Sequence, residues 1–240
     1  MKTIALIPAR LESKRFPNKL LKKINGTPII LRTYSSALET KLFDEVYVVS
    51  GNDEIIDLIT AHNGLTFRSL KNHASGTDRI AEAAVNIDAD IVVNLQGDEP
   101  FINKEAISDL IKSFNDSNVN IASLMTKFKS FEEIRNPNNV KVIVDSSSNA
   151  IYFSRLPIPY NSKKIPDYNR HIGVYAFLKT ALIDFSKQER SKLEIIESLE
   201  GIRVIENSNK IRMISTSFHG ISIDTPEDLI NAEKFISQND

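Results

Sequence analysis

Apolar and polar positions alternate with two different periods along the first hundred residues. "TIALIP" (3–8) is an unbroken apolar run, the pattern of a strand buried on both faces. Pro28 then stands where a helix can begin, and "IILRTYSSALET" continues at helical spacing. "EVYVVS" (45–50) predicts a second strand, followed by a helix from about Asp53 to His62. A short strand near "LTFRS" precedes "SGTDRIAEAAVNI", a helix that Ser75 or Thr77 can cap. "DIVVNLQGDEP" (90–100) predicts another buried strand ending in a glycine turn, with a helix from about Lys104. This βαβα order predicts an α/β protein with a mainly parallel sheet and helices on both faces.

The second half changes character. "NNVKVIVDSSSNAIYFSRLPIPY" reads as strand, Ser/Asn-rich turn and strand, a small antiparallel excursion. Residues 161–170, "NSKKIPDYNR", read as a polar loop, and "HIGVYAFL" as a return to the sheet. "LEIIESLEGIRVI" has helical spacing, and "ISIDTPEDLINAEKFI" reads as a strand entering a helix. The sequence contains no internal repeat, low-complexity segment or obvious linker.

Composition narrows the function class. With 240 residues, 41% of them hydrophobic, the chain can bury one sizeable core. Thirty Lys plus Arg against 31 Asp plus Glu give a net charge of −1, which argues against a nucleic-acid binder. There is no cysteine, hence no disulfide and no thiolate metal site. The chain opens on a core strand rather than a signal-peptide pattern, and no apolar run approaches a membrane span. The expectation is a cytoplasmic protein without a membrane partner.

Against that neutral background the stretch "LIPARLESKRFPNK" (6–19) is unusual, because Arg10, Lys14, Arg15 and Lys19 follow directly on the first strand. Ligands of open α/β sheets sit at the carboxyl ends of the strands. The loop is therefore either an ordinary solvated surface or a clamp for a polyanion such as a triphosphate. It is neither a Walker A loop nor G-x-G-x-x-G, since it holds no glycine. Asp98 and Glu99 in "NLQGDEP" are either turn residues or candidate Mg²⁺ ligands. "HASGTDR" (73–79) is either a capped helix with a surface Arg79 or a helix start that meets an anion or base. In "DTPEDL", Thr225 as cap, Pro226 at the first position and the following acids suit a helix start. Only Asp224 is left over, a candidate second metal carboxylate. Arg155 suits a substrate carboxylate, His171 is either structural or functional, and no G-x-S-x-G elbow is present.

The order of these pieces is more specific than any one of them. "IPARLESKRFPNKLL", "SGTDRIAE", "NLQGDEPFI", "VKVIVD…AIYFSRLPIPY", "HIGVYAF", "SLEGIR" and "DTPEDL" together resemble the 3-deoxy-manno-octulosonate (Kdo) cytidylyltransferases over nearly the whole chain. The resemblance implies a Rossmann-like nucleotidyltransferase fold, one domain with a mainly parallel central sheet flanked by helices. Its parts would be a nucleotide-binding half (about 1–120), an antiparallel dimerisation excursion (about 121–170) and a sugar- and metal-site return (about 171–240). It implies CMP transfer from CTP to Kdo for lipopolysaccharide synthesis, with Mg²⁺ as cofactor, in a cytoplasmic homodimer. It further implies that Pro8, Arg10, Arg15 and Lys19 form the phosphate loop, and that Ser75, Gly76, Arg79 and Gln96 hold the cytidine. Asp98 and Asp224 would bind Mg²⁺, and Arg155, His171, Tyr175 and Glu200 would line the sugar pocket. Arg10, Lys19, Asp98 and Asp224 would carry the catalysis. Two departures stand out: Asn18 replaces a family glycine, and Gly201 replaces the glutamine of "LEQLR". The second leaves an 8-amino octulosonate, or a nonulosonate such as sialic acid, as the alternative sugar.

Overall fold

The computed structural model describes residues 1–13, 16–160 and 167–237. Its contacts gather into two compact units, Met1–Lys104 with Gly220–Asp240, and Glu105–His219.

In the first unit β1 (Thr3–Ala9) is flanked in sequence by the basic loop, which leads through a 3₁₀ turn (Lys19–Leu21) into a two-residue hairpin, β2 (Lys23–Ile24) and β3 (Thr27–Pro28). Pro28 lies in that hairpin immediately before α1 (Ile29–Thr40), so it starts the helix from just outside it. Then come β4 (Glu45–Ser50), α2 (Asp53–Ala61), β5 (Leu65–Arg68), α3 (Gly76–Asn86) and β6 (Ile91–Asn94). Strands β6, β1, β4 and β5 lie side by side in that order, all parallel, with Ile4 opposite both Val92 and Glu45, and Val48 opposite Thr66. Ile4, Leu6, Val48, Val92 and Val93 are fully buried, which is why these strands read as continuous apolar runs. Removing each such side chain from water is worth roughly 1.5–3 kcal/mol.

The second unit opens with α4 (Lys104–Lys112), whose first residue closes the first unit, then β7 (Ile121–Lys127) and α5 (Phe131–Arg135). The excursion is a hairpin of β8 (Lys141–Val144) and β9 (Ala150–Ser154). Strand β10 (Asn169–Leu178) pairs antiparallel with β8 and β7. It begins at Asn169, so the last two residues of the expected 161–170 loop are strand, while 161–166 lie outside the described residues. After α6 (Lys179–Lys187), the segment read as one helical run is two short helices, α7 (Lys192–Glu197) and α8 (Gly201–Glu206). Ser198 takes a left-handed φ of 55° and breaks them apart. Strand β11 (Arg212–Ser215) runs parallel to β7, and neither of these two was predicted from the pattern. Finally α9 (Pro226–Ser237) closes the first unit.

"ISID" (221–224) forms no strand: Ile223 is fully buried, but its backbone N–H reaches one acceptor, the carbonyl of Asp98, at 3.0 Å. Ile223 fills the core without joining a ladder.

Candidate active site

The basic loop turns on Asn18, whose φ of 54° and ψ of 29° lie in the left-handed region. Asparagine enters that region at lower cost than other side chains, so it sustains the turn. The Asn18 carbonyl accepts from Leu21 N–H at 3.0 Å, and this turn aims Lys19 inward. The Lys19 ammonium contacts Asp98 Oδ2 and lies 3.0 Å from Asp224 Oδ1. Its side chain is 13% exposed, against 24% and 34% for the two carboxylates. Burial works to lower the lysine pKa, but the two carboxylates outweigh it and raise the group above its ordinary 10.5.

Local structure fixes both acids. The turn after β6 is tied down by Glu99 N–H donating to the Gln96 carbonyl at 3.1 Å and by Thr33 Oγ1 donating to the Gly97 carbonyl at 3.0 Å. A Cβ on Gly97 would stand 3.1 Å from the Pro8 carbonyl, a tight contact that glycine avoids as this turn presses against β1. Asp224 is held by the cap of α9: Asp228 Oδ2 accepts from Asp224 N–H at 3.0 Å and Thr225 N–H at 2.8 Å, and Thr225 Oγ1 accepts from Asp228 N–H at 3.2 Å. The helix start that accounts for "TPED" thus also positions Asp224.

Ser75 caps α3, accepting from Asp78 N–H at 3.1 Å, whereas Thr77 instead accepts from Asn94 Nδ2 at 3.1 Å. A Cβ on Gly76 would come within 3.1 Å of Pro8 and 4.0 Å of Gln96 Oε1, which places Pro8, Gly76 and Gln96 together. Arg79, one turn into α3, lies near Gly51 at the end of β4. Burial and the positive charge of Arg10 lower the Arg79 pKa, so the two guanidiniums share one region, and neither has a carboxylate ion-pair partner among the described residues. The carboxylates of Glu12 and Glu82 offset this only in part, and two neighbouring guanidiniums suit an incoming polyanion. Lys14 and Arg15 lie outside the described residues.

In the second unit His171 and Tyr175 lie on the same half-buried side of β10, with ring centroids 5.3 Å apart, and Phe153 packs on His171 at 4.9 Å. Burial and the charge of Arg170 push the His171 pKa down to about 3, so the ring is neutral at working pH; its Nε2 is 3.1 Å from Ser123 Oγ. Burial, then the Glu200 carboxylate, push the Tyr175 phenol up, keeping it neutral too. Arg155 is half-buried, and its guanidinium donates to the carbonyls of Glu197 at 2.9 Å and Pro137 at 3.0 Å. Glu197 also accepts from Ser154 Oγ at 2.8 Å and Arg155 N–H at 3.0 Å, which fixes the arginine backbone. Ser123 and Glu197 were not among the sequence candidates; each lies within a regular apolar or helical pattern that carries no signal of its own. Gly201 has a steric reason: a Cβ there would stand 2.6 Å from the Tyr175 hydroxyl.

Among the described residues no three His, Asp or Glu side chains converge on one point. Two carboxylates around one cation still fit Mg²⁺, which typically takes one or two protein carboxylates and completes its shell with water and substrate phosphates.

A parallel sheet with Arg10 just after β1 and Asp98 just after β6, joined there by Arg79 of α3 and by Asp224 before α9, is the arrangement of a nucleotide-binding α/β protein of the nucleotidyltransferase class. The family model described as cytidylyltransferase matches residues 4–211. Relatives from Christiangramia forsetii and Flavobacterium johnsoniae, both named 3-deoxy-manno-octulosonate cytidylyltransferase, are each 48% identical over 98% of this chain and 96% and 99% of their own. A solved CMP:2-keto-3-deoxy-manno-octonic acid synthetase complexed with CTP is 35% identical with a TM-score of 0.93, covering 100% of both chains. The chain belongs to the cytidylyltransferase family, and within it to the 3-deoxy-manno-octulosonate cytidylyltransferases.

Proposed function

We propose that this chain transfers CMP from CTP to the anomeric hydroxyl of 3-deoxy-manno-octulosonate, releasing pyrophosphate and supplying CMP-Kdo for lipopolysaccharide synthesis. The observation that carries the reading is the convergence of Asp98, just after β6, and Asp224 on one cation, with Arg10 just after β1 in the same region as Arg79. The names of the relatives supply the sugar.

In this reading the sugar hydroxyl attacks the α-phosphorus in line; an O–P bond forms as the bond to the β-phosphate oxygen breaks. Positioning and charge neutralisation supply most of the rate, with no covalent intermediate on the protein. Arg10, Lys19 and Arg15 neutralise the departing pyrophosphate. Gly76 and Gln96, gathered against Pro8, hold the cytidine together with Ser75 and Arg79. Asp98 and Asp224 would hold Mg²⁺, which would supply Lewis-acid chemistry, acidifying a hydroxyl and offsetting phosphate charge. Arg155, His171, Tyr175 and Glu200 receive the sugar acid, with His171 and Tyr175 acting as neutral hydrogen-bonding groups.

We further propose that the enzyme is a homodimer, supported by exposed Ile151, Leu156, Tyr160, Ile195 and Ile196 on and beside the excursion, and that it works in the cytoplasm beside its CTP supply. The test is CTP- and Mg²⁺-dependent pyrophosphate release across a panel of Kdo, 8-amino-Kdo and a nonulosonate. Release with Kdo is expected; release with another acid alone would replace the substrate, and none with any would refute catalysis.

A further inference from the structure

The position of the Tyr175 hydroxyl depends on what residue 201 lacks. Gly201 opens α8, is buried, and has no φ in the left-handed region, so its backbone would accept any L-residue. Space is what excludes a side chain. A Cβ would meet the Tyr175 hydroxyl at 2.6 Å, Phe153 Cε2 at 3.1 Å and Ile211 Cδ1 at 3.5 Å. The first separation is shorter than real side-chain contacts, and the tyrosine oxygen is the far end of a ring that can swing. Phe153 is 1% exposed and Ile211 fully buried, so neither has room to yield as far. A methyl at 201 would therefore displace the Tyr175 ring before it moved the rest of the core.

Tyr175 is not isolated. It shares the half-buried side of β10 with His171 and stacks on Phe177 at 6.0 Å. Phe177 in turn packs on Phe185 at 6.2 Å, and both are buried. One side of the ring is fixed by this row. The absent side chain of Gly201 leaves the hydroxyl end seated against the first turn of α8.

We propose that Gly201 is a specificity-determining position: by leaving room for the Tyr175 hydroxyl against α8, it sets how far that hydroxyl reaches over the sugar-acid side of β10. The inference rests on the reading that Tyr175 meets the sugar acid. Gly201 itself is a positioning residue, acting through the tyrosine. Burial and the Glu200 carboxylate keep the phenol protonated, so the group it positions is a neutral O–H.

The experiment is a double-mutant cycle on Gly201→Ala and Tyr175→Phe, with KM measured separately for Kdo and CTP by pyrophosphate release, and with thermal melts of all four proteins. Gly201→Ala should raise KM for Kdo by about tenfold, the scale of a methyl forced into a packed site, and leave KM for CTP within about twofold. In the Tyr175→Phe background the same change should cost sugar affinity little, because the clashing oxygen is gone. An equal effect of Gly201→Ala in both backgrounds would overturn the proposal, as would a lowered melting temperature with an unchanged KM for Kdo. If Tyr175→Phe alone leaves KM for Kdo unchanged, the sugar-site reading of Tyr175 fails, and the proposal falls with it. If Tyr175→Phe moves that KM and Gly201→Ala does not, the sugar-site reading stands and only the proposal falls.

Discussion

Replacing Lys19 with methionine keeps the length of the side chain and removes its charge, which leaves Asp98 and Asp224 facing one another without their cation. Two unit charges about 4 Å apart attract by about 4 kcal/mol at the effective dielectric of a protein surface, before the cost of desolvating the ammonium. The lysine is largely buried and each carboxylate is about one quarter to one third exposed, so the net loss is below that of a fully buried pair. Two charged hydrogen bonds discounted for that exposure give a destabilisation of about 2–3 kcal/mol. For a chain of this size that is a fall in melting temperature of about 4–12 °C. The sign of the pH dependence is fixed as well. The ammonium is raised above 10.5, so its contribution is complete below that pH and lost only as pH rises through the raised value. The difference between wild type and Lys19→Met should therefore be flat from about pH 7 to 9.5. Mg²⁺ supplies the alternative cation, so in the absence of nucleotide it should raise the melting temperature of the variant more than that of wild type. Calorimetry with and without Mg²⁺ reads all three effects. An unchanged melting temperature, or a variant no more responsive to Mg²⁺ than wild type, would refute the cluster as a cation site.

Asp98→Asn and Asp224→Asn should each abolish CMP-Kdo formation, a loss of at least about a hundredfold, while far-UV circular dichroism stays native; normal turnover would remove that residue from the metal site. His171, depressed to about 3 from 6.5, binds a proton more readily unfolded than folded, so its stabilisation is complete above about pH 6.5 and is lost as pH falls below it. The melting temperature of His171→Gln should accordingly fall less steeply than wild type between about pH 6.5 and 4, and proton NMR should show no titration of His171 between about pH 5 and 8. Asn18→Gly should leave KM for CTP within about twofold, whereas Asn18→Val forces a branched residue into the left-handed region at about 1–2 kcal/mol and should raise that KM; equal behaviour of the two would show that the turn does not set the loop.

What was legible in the chain follows from which physical terms act locally. Strands β1, β4 and β6 announce themselves because burial on both faces demands unbroken apolar runs, and Ser75 and Thr225 announce helix starts because capping is satisfied within three residues. Strand β11 holds only Met213 and Ile214 as apolar residues, too few to set a period, and its pairing with β7 comes from a segment ninety positions away in sequence. The reverse error at "ISID" has the same origin: Ile223 is apolar because it is buried, and nothing in four residues says whether a neighbouring strand offers a ladder or a single carbonyl. The candidate site divides along the same line. The carboxylates and cations could be nominated because charge at the end of an apolar run is visible in sequence. That Lys19 lies between Asp98 and Asp224, across 79 and 205 positions, could not. Gly201 is the sharpest case. In the sequence it is a missing side chain with no evident cause, and the cause is the Tyr175 oxygen, which would lie 2.6 Å from the absent Cβ and belongs to β10. A glycine retained for its backbone freedom declares itself through φ; one retained for a neighbour's atom declares itself only when that neighbour is in place. The same holds for Glu197, whose backbone and side chain secure Arg155 from a helix that reads as ordinary surface. Residues that do chemistry carry their own signature, whereas residues that position them take their meaning from contacts the chain makes only once folded.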